Sequence, residues 1–486
     1  MKKLLCMLLS LCMLLSFAFP AAAAEEAAEN PLIIVRGMSF KKGLLYNAGT
    51  EQESLVGVNF SAGGLIKALA GMAFAEKEEK IAVLLDYAYT LFEGYACDNE
   101  GNTLDKSITP RLFELSAGNY EIFSAAEGEK ELGLARAACS RYGGDRVYYF
   151  MYDWRGDPYE NAAKLNDTID RALEECGAQK VNLVCCSMGG IVTLSYLARF
   201  GASKLETVIS NCSTMYGTDV ATELLCGELA FEPAAAKRYI GRFSPFFANV
   251  LYGTGIINAV CGFLTDFAEK NKAEIYGRVL TPVFGTMPAL WALVQPERYN
   301  EAKEFIFGDR ASEYAVLIEK TDRIQAQVVS KRDEILKNAV ADGLRFYVLA
   351  NYNTPLACAY PSASLQGDGT LETSKMSMGA LTSEVGGRLS AADTAVGDKK
   401  YLSADGCINA STCLFPDYTW FVKDAGHVAC LYGSDYIEFV FRLLESDVQL
   451  TVDSLPEYPQ FMRQSGLRLV ALTENETESS PFGSIC

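Results

Sequence analysis

Residues 180–200 read KVNLVCCSMGGIVTLSYLARF. The first part, Lys180 to Cys185, is a short apolar run with β-branched Val181 and Val184, the pattern of a buried strand. The last part, Gly189 to Phe200, continues as a helix. Between them lies Cys186-Ser187-Met188, with Gly189 following. A strand that enters a helix through so tight a turn lifts the turn residue clear of the sheet, and the residues two before and two after it must be small. Gly189 meets the second condition. Cys185 stands where Gly is usual and is small enough for the first. Such a turn puts the Met188 N–H at the helix start, where it can donate to a developing oxyanion. Ser187 is therefore the candidate nucleophile and Met188 a candidate oxyanion donor.

Further strand patterns lie on both sides: Pro31–Gly37 (PLIIVRG), Arg146–Tyr152 (RVYYFMY), Leu205–Ile209, Leu344–Ala350 (LRFYVLA) and Thr419–Val422 (TWFV). Helical patterns alternate with them, at residues 62–95, Tyr159–Cys176 and Asp435–Ser446. Alternation of this kind predicts an α/β fold, a mostly parallel sheet covered by helices on both faces. From about Ser213 to Gly343 the chain reads as helices with apolar faces and no convincing strand. That is too long for a loop between two strands, so residues 213–343 are expected to form an inserted helical cap, or lid. The expected division is a core of 25–212 and 344–450, the cap, and a C-terminal extension of 451–486 that is peripheral. Cap and core together should line an apolar pocket at Ser187.

The N-terminus carries Lys2 and Lys3, an apolar stretch from Leu4 to Phe19, then Pro20 and Ala21 to Ala24. Charged, apolar and small-residue segments in that order predict a signal peptide over residues 1–24, and a secreted or extracytoplasmic protein. The apolar run is short of the roughly 20 residues that span a bilayer. The 486 residues are 50% hydrophobic and 21% charged, with a net charge of −18. That is a globular composition, and the acidic balance argues against nucleic-acid binding. Of the 15 Cys, Cys6 and Cys12 fall in the signal segment. The others show no CxxC spacing and read as small buried apolar residues. With a single His and scattered Cys, no metal site and no cofactor are expected.

That single His is His427, in Lys423-Asp424-Ala425-Gly426-His427, between the last strand and the last helix. A lone His is more often a packed or surface residue. Here its place in the chain is that of a general base, in the order Ser, acid, His. Two loops offer the acid. Asp405-Gly406 precedes the last strand, and Asp368-Gly369 follows the strand at Leu344–Ala350. Both have the form Asp-Gly-x-apolar-x-x-Ser. Asp405 is the preferred acid and Asp368 the alternative.

At these residues the chain resembles the lecithin:cholesterol acyltransferase and lipase branch of the α/β-hydrolases. The segments that carry the resemblance are Tyr152-Asp153-Trp154-Arg155, Asn161 to Leu165, Val181 to Val184 running into Ser187-Met188-Gly189-Gly190, Phe284 to Pro296, Gly367-Asp368-Gly369-Thr370, and Gly426-His427. It implies hydrolysis or transfer of acyl esters through an acyl-serine. In that branch the Gly-Asp-Gly-Thr segment carries the acid, which points to Asp368; other hydrolases place an Asp-Gly loop before the last strand, which points to Asp405. Many relatives have His-Gly after the first strand. This chain has Arg36-Gly37, so only the backbone role of Met38, the second oxyanion donor, carries over. The expected function is that of an exported serine hydrolase of the lipase, esterase or phospholipase kind. Its expected partners are a small-molecule or lipid ester and a membrane-surface or lipid interface. A serine peptidase or amidase on the same triad is the alternative, as is a non-catalytic binding protein on the same scaffold.

Overall fold

The computed structural model describes residues 30–38, 45–47, 53–54, 67, 71, 79–104, 108–124 and 130–473. The expected signal peptide, residues 1–24, lies outside the described residues, as does most of the helix expected over 62–95; its described part is the helix Lys80–Phe92.

Eight strands form one sheet. They are β1 (Leu32–Val35), β2 (Val147–Phe150), β3 (Val181–Ser187), β4 (Leu205–Ser213), β5 (Arg345–Tyr352), β6 (Thr419–Lys423), β7 (Phe461–Ser465) and β8 (Arg468–Ala471). Their order across the sheet is β8-β7-β6-β5-β4-β3-β1-β2. Every neighbouring pair is parallel except β7 and β8. Successive residues of a strand point to opposite faces, and the sheet has a core on each. Ile33, Leu183, Phe346 and Val348 belong to one core. Leu32, Ile34, Val184, Tyr347 and Leu349 belong to the other. Strands buried on both faces read as continuous apolar runs, which is why these were legible.

The helices that matter here are α1 (Gly133–Tyr142), α2 (Pro158–Cys176), α3 (Gly189–Phe200), α4 (Pro245–Gly253), α5 (Ile256–Lys270), α6 (Arg332–Ala341) and α7 (Ser434–Leu444). The first core takes Ala162, Leu165 and Ile169 of α2, much of α3, and Leu336 and Ala339 of α6. The second takes Leu134 and Ala138 of α1 with Phe439, Val440 and Leu443 of α7. Local signals set the helix ends. Asp157 caps α2 by accepting from Tyr159 N at 2.8 Å, Pro158 opens the helix, and Gly177 closes it at φ 63°. On the far face Arg141 of α1 clamps Glu438 and Glu445 around α7.

This is the α/β-hydrolase fold expected from the sequence, with a helical insertion between β4 and β5. The insertion divides in two. Its later part belongs to the main core, where Trp291, Leu317, Ile324 and Leu336 are fully buried. Its earlier part, the α4–α5 pair, has a small core of its own built on Ala236, Ile257 and Cys261. Beyond Val452 the sequence suggested no strand, yet β7 and β8 extend the sheet. They form a hairpin about Gly466, which sits at φ 63°. Both are short edge strands with only Met462 and Leu469 well buried, so their apolar signal is weak.

Candidate active site

β3 ends on Ser187, and α3 begins two residues later. Ser187 has φ 51°, a left-handed backbone costly to a residue with a side chain. Several contacts hold it there. The Ser187 carbonyl accepts from Thr214 N at 3.0 Å and from Thr214 Oγ1 at 3.2 Å. Close packing does the rest. A Cβ on Gly37 would stand 2.5 Å from Ser187 Cβ, and one on Gly189 would stand 2.4 Å from the Val35 carbonyl oxygen. Neither can be anything but Gly without moving the turn. Cys185 is tolerated where Gly is usual because its thiol points away from the turn, toward the Ile209 carbonyl of β4 at 3.6 Å.

His427 follows β6 on a turn stitched to the end of β5. Asp424 N donates to the Tyr352 carbonyl at 3.0 Å, Asn351 Nδ2 to the Gly426 carbonyl at 3.1 Å, and Thr354 Oγ1 to the Ala425 carbonyl at 3.3 Å. The His427 side chain is 16% exposed. Its Nδ1 lies 2.6 Å from Asp368 Oδ2. Asp368 is wholly buried, and its other oxygen accepts from Thr370 N at 2.9 Å and Leu371 N at 2.8 Å. With the Asp368 carboxylate as acceptor, Nδ1–H is the donor and Nε2 is left as the proton acceptor. Burial works against a charge on this ring. The Asp368 carboxylate outweighs it, by charge and hydrogen bond, with Glu131 adding to it; the net effect raises the imidazole pKa above its ordinary value.

Asp405, the preferred acid, does not reach His427. Its carboxylate binds Lys423 Nζ and Tyr352 Oη, both at 2.9 Å, Ser403 Oγ at 2.6 Å and Cys407 N at 3.1 Å. Burial alone would push its pKa up, but the Ser403 and Lys423 contacts hold it below the usual carboxylate value. With every acceptor site turned to those partners, Asp405 ties the ends of β5 and β6 together. The carboxylate that meets His427 is that of Asp368.

Ser187 and His427 line one cavity of about 310 Å³. Among the described residues no hydrogen bond joins Ser187 Oγ to the ring. Such contacts are often long in an empty site and tighten around substrate. Ile34, Met38, Cys186, Val428, Cys430 and Leu431 give the cavity an apolar wall. Met38 is thus at the site, while Met188 begins the helix beneath it and is buried. Arg36, Glu131 and Tyr149 form a polar corner that the sequence did not disclose. Arg36 pairs with Glu131 and donates from Nη1 to Tyr149 Oη at 2.9 Å, with the Arg36 side chain only 8% exposed. Nothing in the stretch around Glu131 marks it out; its role comes from the fold bringing it to β1.

Among the described residues, none that lines the cavity comes from 213–343. Among the described residues the cavity is walled by the ends of β1 to β4, the loops after β1 and β6, the acid loop and Glu131. Among the described residues no cluster of three or more His, Cys, Asp or Glu is arranged to hold a metal ion, and each Cys is a free thiol. Among the described residues no helix is long and apolar enough on its own to cross a membrane.

No family model matches the chain. Among solved structures it is similar to the crystal structure of the Tle4–Tli4 complex, with a TM-score of 0.33 and 11% identity over 86% of this chain and 99% of that one. A likeness that slight has no bearing on function.

Proposed function

We propose that the protein is a serine hydrolase that cleaves carboxylic esters, with Ser187 as nucleophile, His427 as general base and Asp368 as the acid that orients it. One observation carries this reading. A serine held at φ 51° on a strand–helix turn shares a cavity with the sole histidine, whose far nitrogen is fixed by a buried carboxylate. The chemistry follows from the roles. Ser187 Oγ attacks the ester carbonyl while His427 Nε2 takes its proton. The Met188 and Met38 N–H groups receive the oxyanion. His427 then gives the proton to the leaving alkoxide, and a water activated by the same ring releases the acid from the acyl-serine. Asp368 keeps the ring turned and stabilises the imidazolium without itself taking a proton.

The apolar wall of the cavity favours an acyl chain over a polar side chain, and so a lipid or other apolar ester. The segment over residues 1–24 accords with export. A fluorophosphonate should label the peptide that contains Ser187, and Ser187→Ala should abolish the label. Labelling elsewhere, or none on folded protein, defeats the assignment. A series of p-nitrophenyl esters of graded chain length then reads the acyl preference directly.

A further inference from the structure

Helices of a water-soluble domain normally turn their apolar faces inward. The α4–α5 pair does the reverse. Between Arg242 and Asp266 the chain carries no charged residue, although 21% of the protein is charged. Of its large side chains, Phe246 is 72% exposed and Phe263 68%, and Phe247, Val250, Ile256 and Val260 are also exposed. Only Ala248, Ile257, Cys261 and Ala268 of the two helices are buried. The helices meet at a 78° bend and do not form one straight helix. A contiguous apolar surface of this kind marks a contact with something outside the molecule.

The neighbouring charges say what that is. Acidic residues outnumber basic ones 61 to 43 in the chain. The helix that leads into α4, Pro233–Gly241, carries basic residues and no acidic one. Among the described residues Lys237, Arg238 and Arg242 have no carboxylate partner. Lys237 lies over the Tyr252 ring at 4.8 Å, and Arg238 and Arg242 bury guanidinium nitrogens with no acceptor. Exposed Phe residues beside unpaired cations match the two layers of a phospholipid surface, acyl chains below and phosphates above. In a symmetric pair of copies joined through this patch the same cations would face one another. The segment that leads into the pair adjoins the site. Arg242 Nη1 donates to the Pro355 carbonyl at 3.2 Å, and its guanidinium sits against Gly369, between Asp368 and the cavity-lining Thr370.

We infer that the α4–α5 pair is a docking surface for an anionic phospholipid bilayer, and that it sets the mouth of the Ser187 cavity at the level of the lipid esters. This rests on the reading of the protein as an ester hydrolase. It gives the pair a role as a fixed wedge beside the cavity, since no residue of the pair lines that cavity.

The test uses the full chain in two arms. In the first, Ser187→Ala protein is sedimented with vesicles of phosphatidylcholine alone and of phosphatidylcholine with phosphatidylglycerol. Binding should favour the anionic vesicles. Phe246→Ser, Phe247→Ser and Phe263→Ser together should weaken it by about tenfold or more, and Lys237→Gln by about fivefold. In the second arm, the triple variant made with Ser187 intact should keep its turnover of a soluble short-chain ester and lose turnover of vesicle-borne ester. No vesicle binding, or binding that the triple variant retains, overturns the inference. So does a dimer, seen by light scattering, that the triple variant dissolves. Because the first arm needs no catalysis, vesicle binding by a chain that hydrolyses no ester would sink the hydrolase reading and leave the docking surface standing.

Discussion

Asp368 and Asp405 each precede a glycine, each is buried, and each begins the same seven-residue pattern, yet one carboxylate holds an imidazole and the other a lysine. Asp368 spends one oxygen on two backbone N–H groups of its own loop and keeps the second for His427. Asp405 turns both oxygens to neighbours that never meet the cavity: Ser403 and Cys407 on one side, Tyr352 and Lys423 on the other. A loop's sequence thus supplies a carboxylate and a turn. The strand beside it decides whether that carboxylate serves chemistry or cohesion.

The sharpest way to break this contrast is to neutralise each acid in turn. Asp368→Asn should lower kcat by roughly 10³- to 10⁴-fold, because the amide favours the wrong tautomer of His427, while the fold persists. Asp405→Asn should leave ester turnover within a few-fold of wild type at a temperature where it remains folded. If Asp405→Asn is the inactive one, the two loops have been assigned in reverse.

Stability should separate them the other way. Asp405→Asn leaves Lys423 as an uncompensated charge with its side chain 12% exposed, a loss of about 3 kcal/mol measurable by urea unfolding. The pH dependence has a definite sign. The folded pKa of Asp405 lies below its unfolded value of about 3.9, so its contribution is complete above that value and fades as pH falls toward the folded pKa. Wild type should therefore lose stability below about pH 4 more steeply than Asp405→Asn. Equal acid slopes would show that Asp405 is not the linked group.

A finer test uses the pH–rate profile. The base must be neutral, and its pKa is raised, so kcat/KM should rise through a midpoint above the ordinary value of about 6.5. Asp368→Asn should lower that midpoint. Glu131→Gln should lower it less, because Glu131 acts on the ring by charge alone and is itself paired with Arg36. The linkage also reads out in stability. A raised His pKa stabilises the fold fully below about 6.5, and that contribution is lost as pH rises through the folded value. A Glu131→Gln midpoint lower than that of Asp368→Asn would make Glu131 the dominant partner.

Much of this molecule was legible as sequence, for identifiable reasons. Doubly buried strands write themselves as apolar runs, and all six that flank or carry the site, β1 to β6, were found. The turn at Ser187 is announced by its small neighbours. His427 was singled out by chain order alone. The acid was not separable from the loop pattern, because the deciding contacts, His427 to Asp368 and Tyr352 to Asp405, join residues 59 and 53 positions apart. Glu131 was invisible for the same reason. The insertion is helical, but a helix's apolar content does not say where the helix packs. Its later helices fill the main core, and its apolar pair faces outward.

One feature simplifies every future measurement on this protein. His427 is its only histidine, and that residue carries both the proton to be moved and the bond to Asp368. An imidazole resonance needs no assignment, since any such signal comes from the cavity. The proton shared with Asp368 should give a lone downfield NMR line, whose shift and exchange report the state of the site during titration, acylation or contact with vesicles. An imidazole-selective acylating reagent would modify one place. The chain therefore comes with a built-in single-site label at its most informative atom.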